Sequence, residues 1–172
     1  KLVRLADEHS YVLRGEYHVP IGKTLKIAKG VSILAEKDAQ LSVSGSLDIA
    51  GTDDAPVVFR GSGFGFSYWK GIKLSEAEEA SIEFTHVYGA EKAFHVIKGS
   101  PVLRGCTLVG NVTGIEMGYD KSRVQECLIL ANQMDGMVMG GSEPAITSCT
   151  IARNGRYGVH FVGYSRAKFE KT

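Results

Sequence analysis

The sequence predicts an all-β parallel solenoid, a rod made by coiling short strands, and three observations carry that prediction. In the second half of the chain the same residue types return every 21 or 22 residues. Each return brings short apolar–x–apolar segments of period two, which read as strand. Glycine is in excess at 21 of 172 residues, against a usual ~7 %, so the chain turns often. With only 4 prolines it is neither collagen-like nor a Pro/Gly linker.

The segments can be taken in order. Residues 1–23, which open with KLVRLADEHSYVLRGEY, are irregular and read as an N-terminal cap or irregular first coil around Tyr11–Val19. Residues 24–81 show a shorter spacing. Leu25, Leu41 and Val57 lie 16 apart, as do Ile27, Val43 and Phe59. A second pair occurs in each copy: Val31/Ile33, Leu47/Ile49 and, after an insertion at 60–71, Ile72/Leu74. This spacing predicts short-period coils.

Residues 82–172 carry the stronger repeat. Cys106, Cys127 and Cys149 are separated by 21 and 22 residues. Asn111, Asn132 and Asn154 follow each cysteine by five, and Gly114, Gly136 and Gly158 come next. Thr85 fills the cysteine slot one copy earlier. A leucine-rich repeat lacks support because its leucine spacing is absent, and a propeller blade needs about 40 residues. A parallel β-helix fits, because same-slot residues stack about 4.8 Å apart in successive coils. Coils starting near residues 25, 41, 57, 82, 103, 124 and 146 give seven to eight turns and a rod of roughly 34 Å. The terminal SRAKFEKT reads as the start of another coil without a cap, which raises the expectation of a truncated rod or of self-association through that end.

At this point the chain resembles the right-handed parallel β-helix repeat proteins, the pectate-lyase-like superfamily in its broad sense. The run TLKIAKGVSILAEKDAQLSVSGSLDIAGTDDAPVVF, then WKGI, is similar to the opening of bacterial secreted and surface β-helix proteins. SPVLRGCTLVGN and PAITSCTIARNGRYGV resemble their generic coils. The resemblance implies right-handedness. It is specific for fold and weak for function, because such coils occur in lyases, hydrolases, epimerases, adhesins and rods alike.

Composition narrows the functional classes. The net charge of +1, from 20 basic and 19 acidic residues, argues against a domain built mainly for nucleic acid or an anionic membrane. No run of about 18 apolar residues is present, so no membrane-spanning helix is expected. The chain begins at Lys1 without a signal peptide, so an upstream segment is expected to have been removed or to lie outside this sequence. No cofactor motif is present. Gly22-Lys23-Thr24 lacks the first P-loop glycine, and cysteines 21 and 22 apart do not have zinc-knuckle spacing. The cysteine column reads as buried packing, and the asparagine column as a structural ladder.

Some residues remain as candidates for chemistry. His95, Glu116, Val138 and His160 share one outward slot in successive coils. His95 and Glu116 form the candidate acid/base or binding pair, although Val138 interrupts the column and an ordinary cross-strand pair is the preferred reading. A second outward slot holds Glu83, Arg104, Gln125 and Thr147, whose first two members are expected to form a surface ion pair. Tyr88, Val109, Leu130 and Ala152, with Leu128 nearby, form an apolar outward column, either an interface or a covered corner. In the insertion, Phe64, Phe66, Tyr68 and Trp69 are candidate ligand-binding aromatics, with the alternative that Trp69 folds back over the rod. Calcium-assisted lyase chemistry would need clustered aspartates and a basic residue. Asp120, Lys121 and Arg123 lie together, but once only.

The expected protein is thus an extracytoplasmic, bacterium-like β-helix that is structural or binds, alone or as part of a larger assembly. Its partners would be a polysaccharide or another protein, met through a rod face or the C-terminal end. The alternative is a polysaccharide-active lyase, hydrolase or epimerase.

Overall fold

A computed structural model describes residues 2–5, 9–77 and 79–172. Among them every regular element is a strand. The strands form three parallel sheets of eight, seven and seven strands, here called A, B and C. Each coil visits A, B and C once and then rises to the next. Sheet A contains Leu2–Leu5, Thr24–Ala28, Ser46–Ala50, Glu79–Glu83, Val102–Arg104, Arg123–Gln125, Ala145–Thr147 and Lys168–Glu170. Sheet B runs from Ser10–Leu13 to Thr150–Ala152, and sheet C from Glu16–Val19 to Val159–Val162. The result is seven full coils and the start of an eighth.

The strand register overturns the 16-residue spacing. Leu25 pairs with Leu47 and Ile27 with Ile49, both 22 apart. Leu25, Leu41 and Val57 instead lie in sheets A, C and B. The interval of 16 is the step from one sheet to another within and between coils, and the expected starts near 41 and 57 are not coil starts. The supposed second pairs are likewise scattered over the three sheets. The described part of residues 1–23 is also more regular than expected, since Ser10–Leu13 and Glu16–Val19 pair in register with the coil above. Residues 1 and 6–8 of the expected cap lie outside the described residues.

The corners explain how so tight a coil is possible. Between sheets A and B the chain turns on single left-handed residues: Phe84, Gly105, Glu126 and Ser148, with φ of 40°, 62°, 56° and 55°. The residue after each of these is Thr85, Cys106, Cys127 or Cys149. Each points inward and gives its side-chain hydrogen to the carbonyl two residues back. The cysteines are free and buried, so the slot selects a small buried donor. The Cys106 thiol beside it and burial push the Cys127 thiol up to about 12, which keeps it unreactive as a nucleophile. Thr172 makes the same bond to the Glu170 carbonyl, at 3.2 Å.

Between sheets B and C another left-handed residue precedes Asn111, Asn132 and Asn154, which form a ladder. Asn111 Nδ2 donates to Asn132 Oδ1 at 3.2 Å, and Asn132 Nδ2 to Asn154 Oδ1 at 2.9 Å. Gly114 and Gly136 serve close approach between coils: a Cβ on Gly114 would lie 2.4 Å from the Gly136 carbonyl oxygen.

The core runs the length of the rod as columns of Leu, Ile, Val, Phe and Met. Trp69 belongs to it, at 1 % exposed. Its ring stacks on Phe59 at 6.0 Å, and Nε1 donates to the Tyr88 carbonyl at 2.9 Å. Trp69 is therefore not a ligand-binding aromatic; burial and a satisfied indole N–H make it a core residue.

Candidate functional site

Because side chains alternate along a strand, one outward slot of sheet C produces a row up the rod. From the first coil it reads His18, Ser42, Lys73, His95, Glu116, Val138 and His160. His95 and Glu116 meet as expected, with His95 Nε2 3.4 Å from Glu116 Oε1. The same oxygen receives Lys92 Nζ at 2.9 Å, an ion pair that was not anticipated from the sequence. Burial lowers the pKa of His95, and Lys92 lowers it further, against the pull of Glu116. His95 is thus held as a neutral imidazole at neutral pH, beside the Glu116 side chain.

The next outward slot of sheet C holds Ile97, Gly118, Gly140 and Val162. Two consecutive glycines leave a trough between Ile97 and Val162. The His95, Glu116 and Val138 row borders one side and Tyr119 the other, and the concavity measures about 440 Å³. Tyr119 is 79 % exposed and its ring lies over Gly141, where a Cβ would approach it to 2.9 Å. Of the described residues lining the trough, Glu116 alone carries a carboxylate, so the trough does not present the two facing acids that glycoside hydrolysis uses.

The remaining candidates separate. Phe64 is fully exposed and Phe66 partly so. The Tyr68 ring packs against Gly61 and Gly63, and its hydroxyl accepts from Ser62 Oγ at 3.3 Å. Glu83 and Arg104 are strand neighbours, but Arg104 Nε reaches Glu126 instead, at 3.3 Å. The apolar column of Tyr88, Val109, Leu130 and Ala152 is stacked as expected and half-buried, while Leu128 beside it is exposed.

One cluster escaped the sequence reading. Asp135, whose side chain is 1 % exposed, takes two hydrogen bonds from Arg156, and His160 Nδ1 lies 3.7 Å away. Arg156 holds the Asp135 carboxyl below the usual range and also covers the Tyr157 ring at 5.3 Å. The cluster braces the last full coil at the end of the His160 row. Residues 135 and 156 are 21 apart, the coil period, which is the signal that could have paired them.

Residues 46–171 match a family model described as a right handed beta helix region. The chain belongs to this family. The match covers every coil from the third onward and agrees with the three-sheet stack. Searches among curated proteins and among solved structures returned no match. Among the described residues of this β-helix, no helix is long and apolar enough to cross a membrane, and no group of three or more His, Cys, Asp or Glu side chains is placed to hold a metal ion.

Proposed function

We propose that this β-helix is an extracytoplasmic binding module that holds a polysaccharide chain in the trough of sheet C. The observation that carries the reading is Tyr119. Its φ is 54°, a left-handed conformation that is costly for a bulky side chain. The equivalent corner residues of the next two coils are Gly141 and Gly163, with φ of 66° and 69°. In the two coils before, the same left-handed corner is held by the charged residues Glu76 and Lys98, with φ of 53° and 59°; at position 119 alone among these five the chain places an exposed aromatic ring, beside a glycine-floored trough. A ring of that kind stacks on the apolar face of a sugar, while His95, Glu116 and Lys92 supply hydrogen bonds along the other wall. The trough spans three strand steps, about 14 Å, enough for a short run of sugar rings lying along the rod axis. Phe64 and Phe66 provide a second aromatic contact on the same rod. The resemblance to secreted and surface β-helix proteins supports the extracytoplasmic location.

A second reading, as a lyase or epimerase, draws support from the neutral His95 within reach of Glu116, since a neutral imidazole is suited to proton abstraction. The two readings diverge on a panel of neutral and uronate polysaccharides tested for both binding and turnover. Binding without turnover is expected. Tyr119→Gly is expected to weaken binding about tenfold or more while leaving stability unchanged or raised by up to about 1 kcal/mol. Turnover abolished by His95→Ala would favour the enzyme instead. If no polysaccharide on the panel binds the unaltered protein, the binding reading fails.

A further inference from the structure

The outer face of sheet B carries an uncharged strip. Over the fourth to seventh coils its first outward slot reads His86, Thr107, Leu128 and Thr150, and its second is the half-buried apolar column that starts at Tyr88. Neither slot holds an Asp, Glu, Lys or Arg at these levels. Burial lowers the pKa of His86, which keeps it uncharged at neutral pH. Leu128, near the middle of the strip, is 43 % exposed. A continuous uncharged strip with apolar side chains along it has the make-up of an interface core rather than of a solvated sheet.

From the third coil upward, charges stand at the two edges of the strip and differ in sign. Where the strands begin, the turn before the strand Val57–Gly61 carries Asp53 and Asp54. Asp53 and Glu126, which already holds Arg104, border a concavity of about 180 Å³ beside His86. Where the strands end lie Arg60, in register with Tyr88, and Arg153, one residue beyond Ala152. Asp53, Asp54, Arg60 and Arg153 are exposed, and none of them forms an ion pair among the described residues.

We propose that this strip is the contact face between two copies of the chain, packed side by side with parallel rods about a two-fold axis along the rod. Such an axis sets each coil against the same coil of the second copy and reverses its strands. The edge where strands begin then meets the edge where they end. Asp53 and Asp54 face Arg60 of the second copy, and the pairing occurs twice by symmetry. The uncharged strips meet between these edges at the usual sheet spacing of about 10 Å. A two-fold axis along the strands would make the rods antiparallel and bring each edge against its own kind, which opposes like charges. The charge pattern thus selects the occupant and its orientation together. Five strands about 4.8 Å apart, each with two outward side chains, make a strip of roughly 300 Å². Two such strips bury less than the ~1,200 Å² of a stable interface, so the dimer is weak, with a dissociation constant on the order of 10–100 µM. Sheet C stays uncovered, and the contact does not depend on the polysaccharide reading.

Sedimentation equilibrium on the full chain from about 10 µM to about 1 mM tests the dimer. The mass is expected to rise from one copy towards two and stop there, and to rise less in high salt, which screens the edge pairs. Leu128→Arg and Arg60→Glu should each raise the dissociation constant at least about tenfold. Both residues are exposed, so the melting temperature should not change, which separates loss of contact from loss of fold. Asp53→Arg combined with Asp54→Arg should weaken self-association as well. An equimolar mixture of that variant with Arg60→Glu should dimerise again, because opposite charges then meet at both edges. A mass that stays at one copy up to about 1 mM overturns the proposal. So does a mass that grows past two copies, or an association that Leu128→Arg and Arg60→Glu leave unchanged.

Discussion

Asn132→Ala is expected to remove about 3–5 kcal/mol of stability, which lowers the melting temperature by on the order of 10 °C. Asn132 is the middle rung of the ladder. Its Oδ1 accepts from both the Asn111 N–H and Asn111 Nδ2, and its Nδ2 donates to the Leu108 carbonyl and to Asn154 Oδ1. Alanine leaves these groups in adjacent coils without partners, at a site where Asn132 is 1 % exposed. Asn132→Asp should also destabilise, because it replaces the two amide donors with acceptors. The position has a further consequence in a solenoid, where each coil contacts only its neighbours. A weak sixth coil should uncouple the coils on either side, so chemical denaturation should broaden and separate into two steps. A single, unshifted transition in Asn132→Ala would show that the ladder adds nothing to stability.

Gly71→Ala should be at least as damaging, at about 4 kcal/mol or more. Gly71 has a φ of 98°, and a Cβ there would lie 1.7 Å from the Lys92 carbonyl oxygen and 2.8 Å from its carbon. Both are backbone atoms of the next strand, which shifts register between Lys92 and Phe94 at this level. No side-chain rotation can relieve the overlap, so the two coils must part. Gly163→Ala is the matched control. Its φ is 69° but nothing lies within 4 Å of the added carbon, so it should cost only the left-handed strain of roughly 1–2 kcal/mol. Equal losses at the two positions would place the whole cost of Gly71→Ala in backbone conformation and none in the contact between coils.

The contrast between the two halves of the chain shows what was legible in the sequence. Cys106, Cys127 and Cys149 each occupy a slot that occurs once per coil, and the three asparagines do the same. A rare residue type in a unique slot gives the period directly. The N-terminal half offers only Leu, Ile and Val, and all three sheets use the same apolar–x–apolar pattern. Leu25, Leu41 and Val57 therefore matched across different sheets, while the true interval, Leu25 to Leu47, was hidden among equivalent residues. The site was legible to the same extent. His95 and Glu116 stand one coil apart in a row that repeats, so their meeting could be foreseen. Lys92 could not, because it reaches Glu116 from another position on the strand. Tyr119 was missed because a left-handed corner has no hydrophobic pattern. Its only mark in the sequence is that Gly118-Tyr119 in one coil becomes Gly140-Gly141 in the next. Trp69 was ambiguous because a loop of glycines and aromatics does not say which ring turns inward; stacking on Phe59 decides it.

The binding account is tested most directly by mapping where a bound polysaccharide touches the rod. Amide chemical shifts of the labelled protein, recorded with and without the best ligand from the panel, give that map. The expected perturbations run along one stripe through Glu116, Gly118, Tyr119 and Gly140 and disappear in Tyr119→Gly. Perturbations confined to sheet A, or to the loop around Phe64 and Phe66, with the stripe silent, would contradict the assignment of the trough as the binding site.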